Sequence, residues 1–179
     1  MSFDDDLATY RSDQDEIADR VTAAKIEERR IRHEAAKDAQ NQLRELTTFL
    51  GTRMTPTTRP NRASLLPGRR TPSGFVLNEE WKKSSGAGHP GAGGYWRLTL
   101  LTADGRVWIG TTDGRTEFDF VDIEDRMLNW RGFSVLNMDV YPGSDGMARA
   151  RSVHSESHDS ELFRDVCLRW AHETINREK

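Results

Sequence analysis

Two histidines four residues apart, His154 and His158, with Glu156 and Asp159 beside them, are the residues of this 179-residue chain best suited by type to hold a metal. On a helix that spacing would place both imidazoles on one face, as a zinc site needs. They straddle a predicted strand-to-helix junction, where the spacing loses that meaning, so no metal is expected. Gly86, Gly88 and Gly91 fit the G-x-G-x-x-G string of a phosphate-binding loop. Such a loop must follow a strand and open a helix whose N-terminus holds the phosphates. This one contains Pro90, runs into Gly93-Gly94 and then meets a strand, so a loop between two strands is expected and a nucleotide is not. The single Cys167 can form no internal disulfide, lies on the apolar stripe of a predicted helix and is expected to be an inert core thiol. The serines near the two histidines form no nucleophile elbow, and the carboxylate pairs Glu79-Glu80 and Asp4 to Asp6 read as exposed. The expectation is a protein that is not an enzyme, with no catalytic residue, no cofactor and no small-molecule substrate.

The basic side chains are the other chemical signal. Residues 51–70 carry Arg53, Arg59, Arg62, Arg69 and Arg70 and no acid. Lys82, Lys83 and Arg97 flank the glycine loop. Lys82, Lys83, Arg97, Arg69 and Arg70 are candidates for contact with an anion, whether phosphate, an anionic lipid surface or an acidic partner. The plainer reading is a solvated tether and a solvated basic rim. Nucleic-acid binding through the five arginines would be nonspecific and steeply salt-dependent. It ranks below protein binding, because the formal net charge is −3 and no recognition helix or aromatic-basic sheet face accompanies the arginines.

The elements that must position these residues divide at Gly51. Before it there is neither Pro nor Gly; after it come Pro56, Pro60, Pro67, Gly68, Pro72 and Gly74. Three parts are expected: a long helix over residues 1–50, an Arg/Pro-rich linker over 51–73, and a compact domain over 74–179. The helix pattern fills residues 4–50, about 65–70 Å at 1.5 Å per residue. Its ladder Leu7, Tyr10, Gln14, Ile17, Val21, Ala24, Glu28, Ile31, Ala35 steps by threes and fours, then shifts by a stutter to Ala39, Leu43, Leu46 and Leu50. A helix this long cannot bury such a stripe on a small domain alone. Ile17, Val21, Ala24, Ile31, Ala35, Leu43, Leu46 and Leu50 are therefore the predicted coiled-coil interface, to a second copy or to another protein. The alternative is a charged, solvated helix whose last turns, Leu43, Leu46 and Leu50, pack on the domain.

Apolar residues make up 35% of the chain and charged ones 31%, against about 45–50% apolar for a globular domain when Gly is counted in. Part of the chain is thus expected to lie outside a core. No apolar run approaches the ~18 residues of a membrane span, and the acid-rich start is wrong for a secretory or transit signal. A cytoplasmic location is expected, with peripheral contact to an anionic membrane as a lesser alternative.

From residue 74 the apolar period changes from 3.6 to 2. Gly74 to Leu77 and Tyr95 to Leu100 read as strands, the second with Trp96, Leu98 and Leu100 on one face. Asp104-Gly105 and Asp113-Gly114 mark hairpin turns around Arg106 to Ile109 and before Thr116 to Val121. Met127 to Phe133, Val135 to Tyr141 and Met147 to Val153 read as three further strands. A closing helix over 159–176 follows, capped by Ser157 or Asp159, with Leu162, Phe163, Val166, Cys167, Trp170 and Ala171 as its apolar stripe. Trp96, Trp108 and Trp170 are expected in the core; Trp81 or Trp130, near loops, would mark a recognition surface if exposed.

Seven short antiparallel strands followed by one helix with a core Trp resemble the pleckstrin-homology superfold over residues 74–178. Gly74-Phe75-Val76-Leu77 and Tyr95 to Leu101 resemble its first two strands. Leu101-Thr102 through Arg106-Val107-Trp108-Ile109, and Phe120-Val121-Asp122-Ile123, resemble phrases of bacterial pleckstrin-homology and GRAM-like domains. Leu162-Phe163 to Trp170 resembles the closing helix. The resemblance implies an α+β chain: a long N-terminal helix, then a seven-stranded antiparallel sandwich or barrel closed by a C-terminal helix, and a module that binds a protein surface or peptide. In family members that bind phosphoinositides, basic residues of the first two strands hold the head group. Lys83 and Arg97 match two of these, while the central basic residue expected just before Arg97 is replaced by Tyr95 or Trp96.

Overall fold

The computed structural model describes residues 3–57, 72–82, 95–111, 119–130, 132–153 and 160–177. The chain opens with the 49-residue helix α1, Phe3–Gly51. Nothing in it breaks a helix, and its surface is laced by pairs one turn apart: Glu16 with Arg20, Arg30 with both Glu27 and Glu34, and Glu28 with Arg32. It ends where the amides of Arg53 and Met54 both bond to the Leu50 carbonyl, each at 2.8 Å, and Pro56 then prevents continuation.

Four strands follow, β1 (Gly74–Lys82), β2 (Tyr95–Thr102), β3 (Val107–Thr111) and β4 (Asp119–Phe120), forming one antiparallel sheet in sequence order. After helix α2 (Ile123–Asn129) come β5 (Phe133–Val135), β6 (Met138–Pro142), β7 (Ala148–Ser152) and β8 (Glu161–Leu162), a second antiparallel sheet, again in sequence order. Helix α3 (Phe163–Arg177) closes the chain. The architecture is α+β with a long N-terminal helix. Its two small sheets are separate meanders and do not close into a barrel.

The expected strand at Met127 to Phe133 is a correction: residues 123–129 are α2. Asp122 caps this helix by accepting from the Asp125 amide at 2.9 Å, and Glu124 and Asp125 sit in the first turn, where carboxylates meet the positive end of the helix dipole. The expected strand Val135 to Tyr141 is also split. Leu136 and Asn137 adopt φ of 55° and 60°, the pair of left-handed residues that a two-residue hairpin turn needs. Its flanking strands pair Val135 with Met138 and Phe133 with Val140. The closing helix begins at Phe163 rather than Asp159, because Glu161 and Leu162 first pair with Ala150 and Arg149. Ser157 and Asp159, proposed as its caps, lie outside the described residues, as does the turn at Asp113-Gly114.

One core joins every layer. Ala36, Ala39, Leu43, Leu46 and Leu50 of α1 pack with Phe75, Leu77, Leu101 and Val107 of the first sheet and with Ile123 and Met127 of α2. Phe133, Val135, Val140, Ala148 and Ala150 of the second sheet and Phe163, Val166, Cys167 and Ala171 of α3 complete it. Phe133 and Phe163 meet edge to face at 6.3 Å. A second cluster of Leu98, Leu100 and Trp108 occupies the opposite face of the first sheet. Trp108 is thus a core residue, and Trp170 is half-buried against the main core. The side chains of Trp81 and Trp96 fall outside the described ones.

Two glycine turns hold α1 against this body. Gly105 (φ +78°), in the β2–β3 turn, lies so close to α1 that an added Cβ would stand 2.6 Å from Cγ of Arg44. Gly146 (φ +77°), between β6 and β7, meets Glu34 in the same way, at 2.8 Å from Oε2. Asp38 accepts from the Ala148 amide at 3.0 Å, and Arg32 donates to the Leu128 carbonyl at 2.7 Å, pinning the end of α2 to α1. Gly51 therefore ends a helix without ending a packing unit. The segment after it is also anchored: Met54 packs on the core, and Thr57 and Gly74 exchange backbone hydrogen bonds at 2.9 and 3.1 Å. The described ends of this segment, Thr57 and Gly74, thus meet on the head.

Candidate functional site

The predicted interface residues of α1 divide into two groups. Ala35, Leu43, Leu46 and Leu50 are at most 5% exposed, covered by the chain's own sheets and helices. This corrects their assignment to a coiled-coil seam, because the surface they would offer a second helix is already spent on the head. Ile17, Val21 and Ala24 are exposed, and Ile31 is half-buried at the boundary. Every residue from Tyr10 to Arg30 is exposed. Residues 10–30 thus form an arm, about 30 Å long at 1.5 Å per residue.

The arm carries an apolar ladder in the open. Tyr10, Ile17 and Val21 are 62%, 52% and 48% exposed. At about 100° per residue, Tyr10, Gln14, Ile17, Val21, Ala24, Glu28 and Ile31 fall within an arc of roughly 100°. By the same arithmetic, Ala35, Ala39, Leu43, Leu46 and Leu50 lie on the same side of α1. The head therefore sits on the seam side of its own helix, and the arm's ladder emerges from beneath it. A notch of about 710 Å³ marks that point, with Ala24, Glu28 and Ile31 on one wall and Tyr141, Pro142 and Ser144 on the other.

Tyr141 also lines a second hollow, about 400 Å³, with Trp130, Phe133, Ser134, Asp139 and Arg151. Trp130 is 67% exposed just past the end of α2, with the Arg126 guanidinium 5.6 Å from its ring centre. Arg151 stands 5.7 Å over the Tyr141 ring. Ser134 donates to Asp139 at 2.7 Å. An exposed Trp130 and a half-buried Tyr141, each beside a guanidinium, give this face an aromatic and cationic character. A third concavity, about 360 Å³ and mostly apolar, runs between the end of α1 and α3, lined by Leu46, Phe49, Cys167, Leu168, Ala171 and Ile175.

The remaining chemical candidates sort quickly. Cys167 is buried, and burial, reinforced by Asp38 and Glu45, pushes its thiol up to about 12, so it carries little thiolate at neutral pH. Arg97 is exposed on β2, Lys82 ends β1, and Lys83, Arg69 and Arg70 lie outside the described residues. So do Arg59 and Arg62, the glycines of 86–94, His154 and His158. Arg53 lies 3.9 Å over the Phe49 ring and donates to the Phe49 carbonyl at 3.2 Å, so it works locally at the end of α1. Among the described residues no group of three or more His, Cys, Asp and Glu is placed to hold a metal ion, and no helix is long and apolar enough to cross a membrane.

Trp130 was available to sequence reasoning as a loop tryptophan. The notch was not, since it needs the β6–β7 turn beside Ile31. Compared with known protein families, curated proteins and solved structures, the chain matches none.

Proposed function

We propose that this is a non-catalytic interaction protein, in which the arm of α1 is the handle for another helix and the head is the body that carries it. The observation behind the reading is the uncovered ladder from Tyr10 to Ala24, on a helix whose other half is buried in its own head. Apolar residues at three- and four-residue steps gain free energy only when covered, and the head covers none of those positions. The head is held against the helix by Gly105, Gly146, Arg32 and Asp38. It moves with the arm and presents the Trp130 face beside the notch.

We extend the proposal to the head itself. Its eight described strands, with α2 between the two meanders, depart from the uninterrupted seven strands that the pleckstrin-homology resemblance implies, so the reading of the head as a protein-binding module rests on its surface. Within it, Trp130, Tyr141 and Arg151 are the surface that would do the binding. The test is site-specific photo-cross-linking in cells, with the photoreactive residue at Val21, at Trp130, or at Asp19 on the arm's opposite side. Discrete adducts at Val21 and Trp130 but not at Asp19 are expected. Equal labelling at all three, or none at Val21, would overturn the reading.

A further inference from the structure

We infer that the helix covering the arm is the arm of a second copy of this chain, laid antiparallel, with the acidic half of each arm beside the more basic half of the other. This rests on the arm being an interface and names its occupant.

Three observations carry it. The first is steric. Each head lies on the seam side of its own α1, as the notch formed by Ala24, Glu28 and Ile31 with Tyr141 to Ser144 shows directly. Two arms joined seam to seam in parallel would bring both heads to one level in the space between the helices, where they collide. Reversing one arm sends the heads to opposite ends and leaves both seams open to each other. The second is charge. Residues 1–19 hold seven acids and one base, while residues 20–37 hold six bases and three acids. A parallel pair sets the two acidic segments side by side; an antiparallel pair sets each against the more basic segment of its partner. The third is fit at the ends. With the ladder from Tyr10 to Ile31 overlapped, the midpoint falls beside Val21, and Arg11, Gln14 and Ala18 of each arm come level with Ile31, Glu28 and Ala24 in the other copy's notch. Between those positions the arm carries Asp13, Asp15 and Glu16. The notch is lined by Glu27 and Glu28 as well as Arg32, and Arg151 is stacked at 5.7 Å on its Tyr141. Arg32 and Arg151 are the groups there that complement the acids of the arriving arm.

The experiment uses the full-length chain. Light scattering after size exclusion, at tens of micromolar, is expected to give twice the 20.4 kDa of one chain, with the dimer fraction falling as salt rises. Val21→Asp places a charge in the centre of the seam and weakens association by about a hundredfold; Arg151→Glu weakens it by about three- to tenfold. Both residues are exposed, so neither change should alter the far-ultraviolet circular dichroism. Orientation is read from Gln14→Cys, Val21→Cys and Glu28→Cys in a Cys167→Ala background under mild oxidation. Antiparallel pairing cross-links Val21→Cys to itself, and Gln14→Cys to Glu28→Cys only when the two are mixed. Self-cross-linking at all three positions means parallel arms and overturns the inference. A chain that stays monomeric also overturns it, while the arm's role as an interface is judged separately by the adducts at Val21. A dimer indifferent to Val21→Asp overturns the inference and the arm reading together.

Discussion

Leu43 and Ile17 lie on the same helix and the same apolar ladder, and replacing each by alanine should separate the two halves of α1. Leu43 is fully buried among the sheets and α3; Ile17 is 52% exposed on the arm. Leu43→Ala removes three carbons from the core. At ~0.8 kcal/mol for each buried methylene-sized group the transfer loss is about 2.4 kcal/mol, and a cavity that fails to collapse adds on the order of 1–2 kcal/mol. The expected loss is therefore about 2.5–4.5 kcal/mol, a large part of an ordinary domain's ~5–15 kcal/mol. Ile17→Ala should cost under about 0.5 kcal/mol in dilute solution, because alanine is at least as good a helix former and little burial is lost. Urea unfolding followed by tryptophan fluorescence measures both. With a slope of about 2 kcal/mol per molar urea, the Leu43→Ala midpoint should fall by roughly 1–2 M, independently of protein concentration, and the Ile17→Ala midpoint should hardly move. If both midpoints shift alike, or if the Leu43→Ala loss disappears on raising the protein concentration, then Leu43 is an intermolecular seam residue and the single core described above is wrong.

Gly105→Ala should lower stability by about 1–3 kcal/mol in a thermal melt, because it combines a left-handed backbone with a Cβ 2.6 Å from Arg44 Cγ; an unchanged melting temperature would mean that the turn does not bear on α1. Cys167 should resist an aromatic disulfide reagent at pH 8 in the folded protein and react at once in denaturant. Its folded-state pKa, about 12, lies above the ordinary thiol value, so its contribution is fully present below pH 9 and is lost as the pH rises from there toward 12. Cys167→Ala should flatten that part of the alkaline stability curve relative to wild type. Asp104 is held below the usual carboxylate range, first by the Thr102 hydroxyl at 2.5 Å and then by Arg106. Its contribution is present above the ordinary carboxylate range and is lost as pH falls through its lowered value, so Asp104→Asn should reduce the acid-side slope of stability; an identical slope would refute that account.

Local chemistry was the part of this fold that could be read from residue types. Asp104-Gly105 announces its turn because only a residue tolerant of positive φ fits there, and φ is indeed +78°. The stripe Phe163, Val166, Cys167, Ala171 announces the face that α3 buries, and all four are at most 4% exposed. The misreadings came where two local codes overlap. Met127-Leu128-Asn129-Trp130 alternates well enough for a strand, but Asp122 with Glu124 and Asp125 supplies a capped helix start, and capping with packing against α1 prevailed. Leu136-Asn137 lacks the usual Asn-Gly signature of a two-residue turn, so the hairpin was invisible until the strands on either side were seen paired.

The ladder of α1 shows most plainly what periodicity can and cannot specify. A repeat of threes and fours says that one side of a helix must be covered and says nothing of what covers it. Along Ala35, Ala36 and Ala39 the side chains are small, and there the helix approaches the head closely enough for Asp38 to take a β7 amide. Past the notch at Ala24 to Ile31 the same side of the helix projects beyond the head, and every side chain from Tyr10 to Arg30 is exposed. A helix segment of this length is marginal by itself in water, because its nucleus costs more than its few surface ion pairs return. Here the nucleus is supplied free by the buried half, from which the arm simply continues. That solves initiation but leaves an apolar side facing solvent, and a covering helix would draw on the same ladder that the head already uses below Ile31. The buried and open halves of α1 are thus one device: the first fixes the direction in which the second is offered.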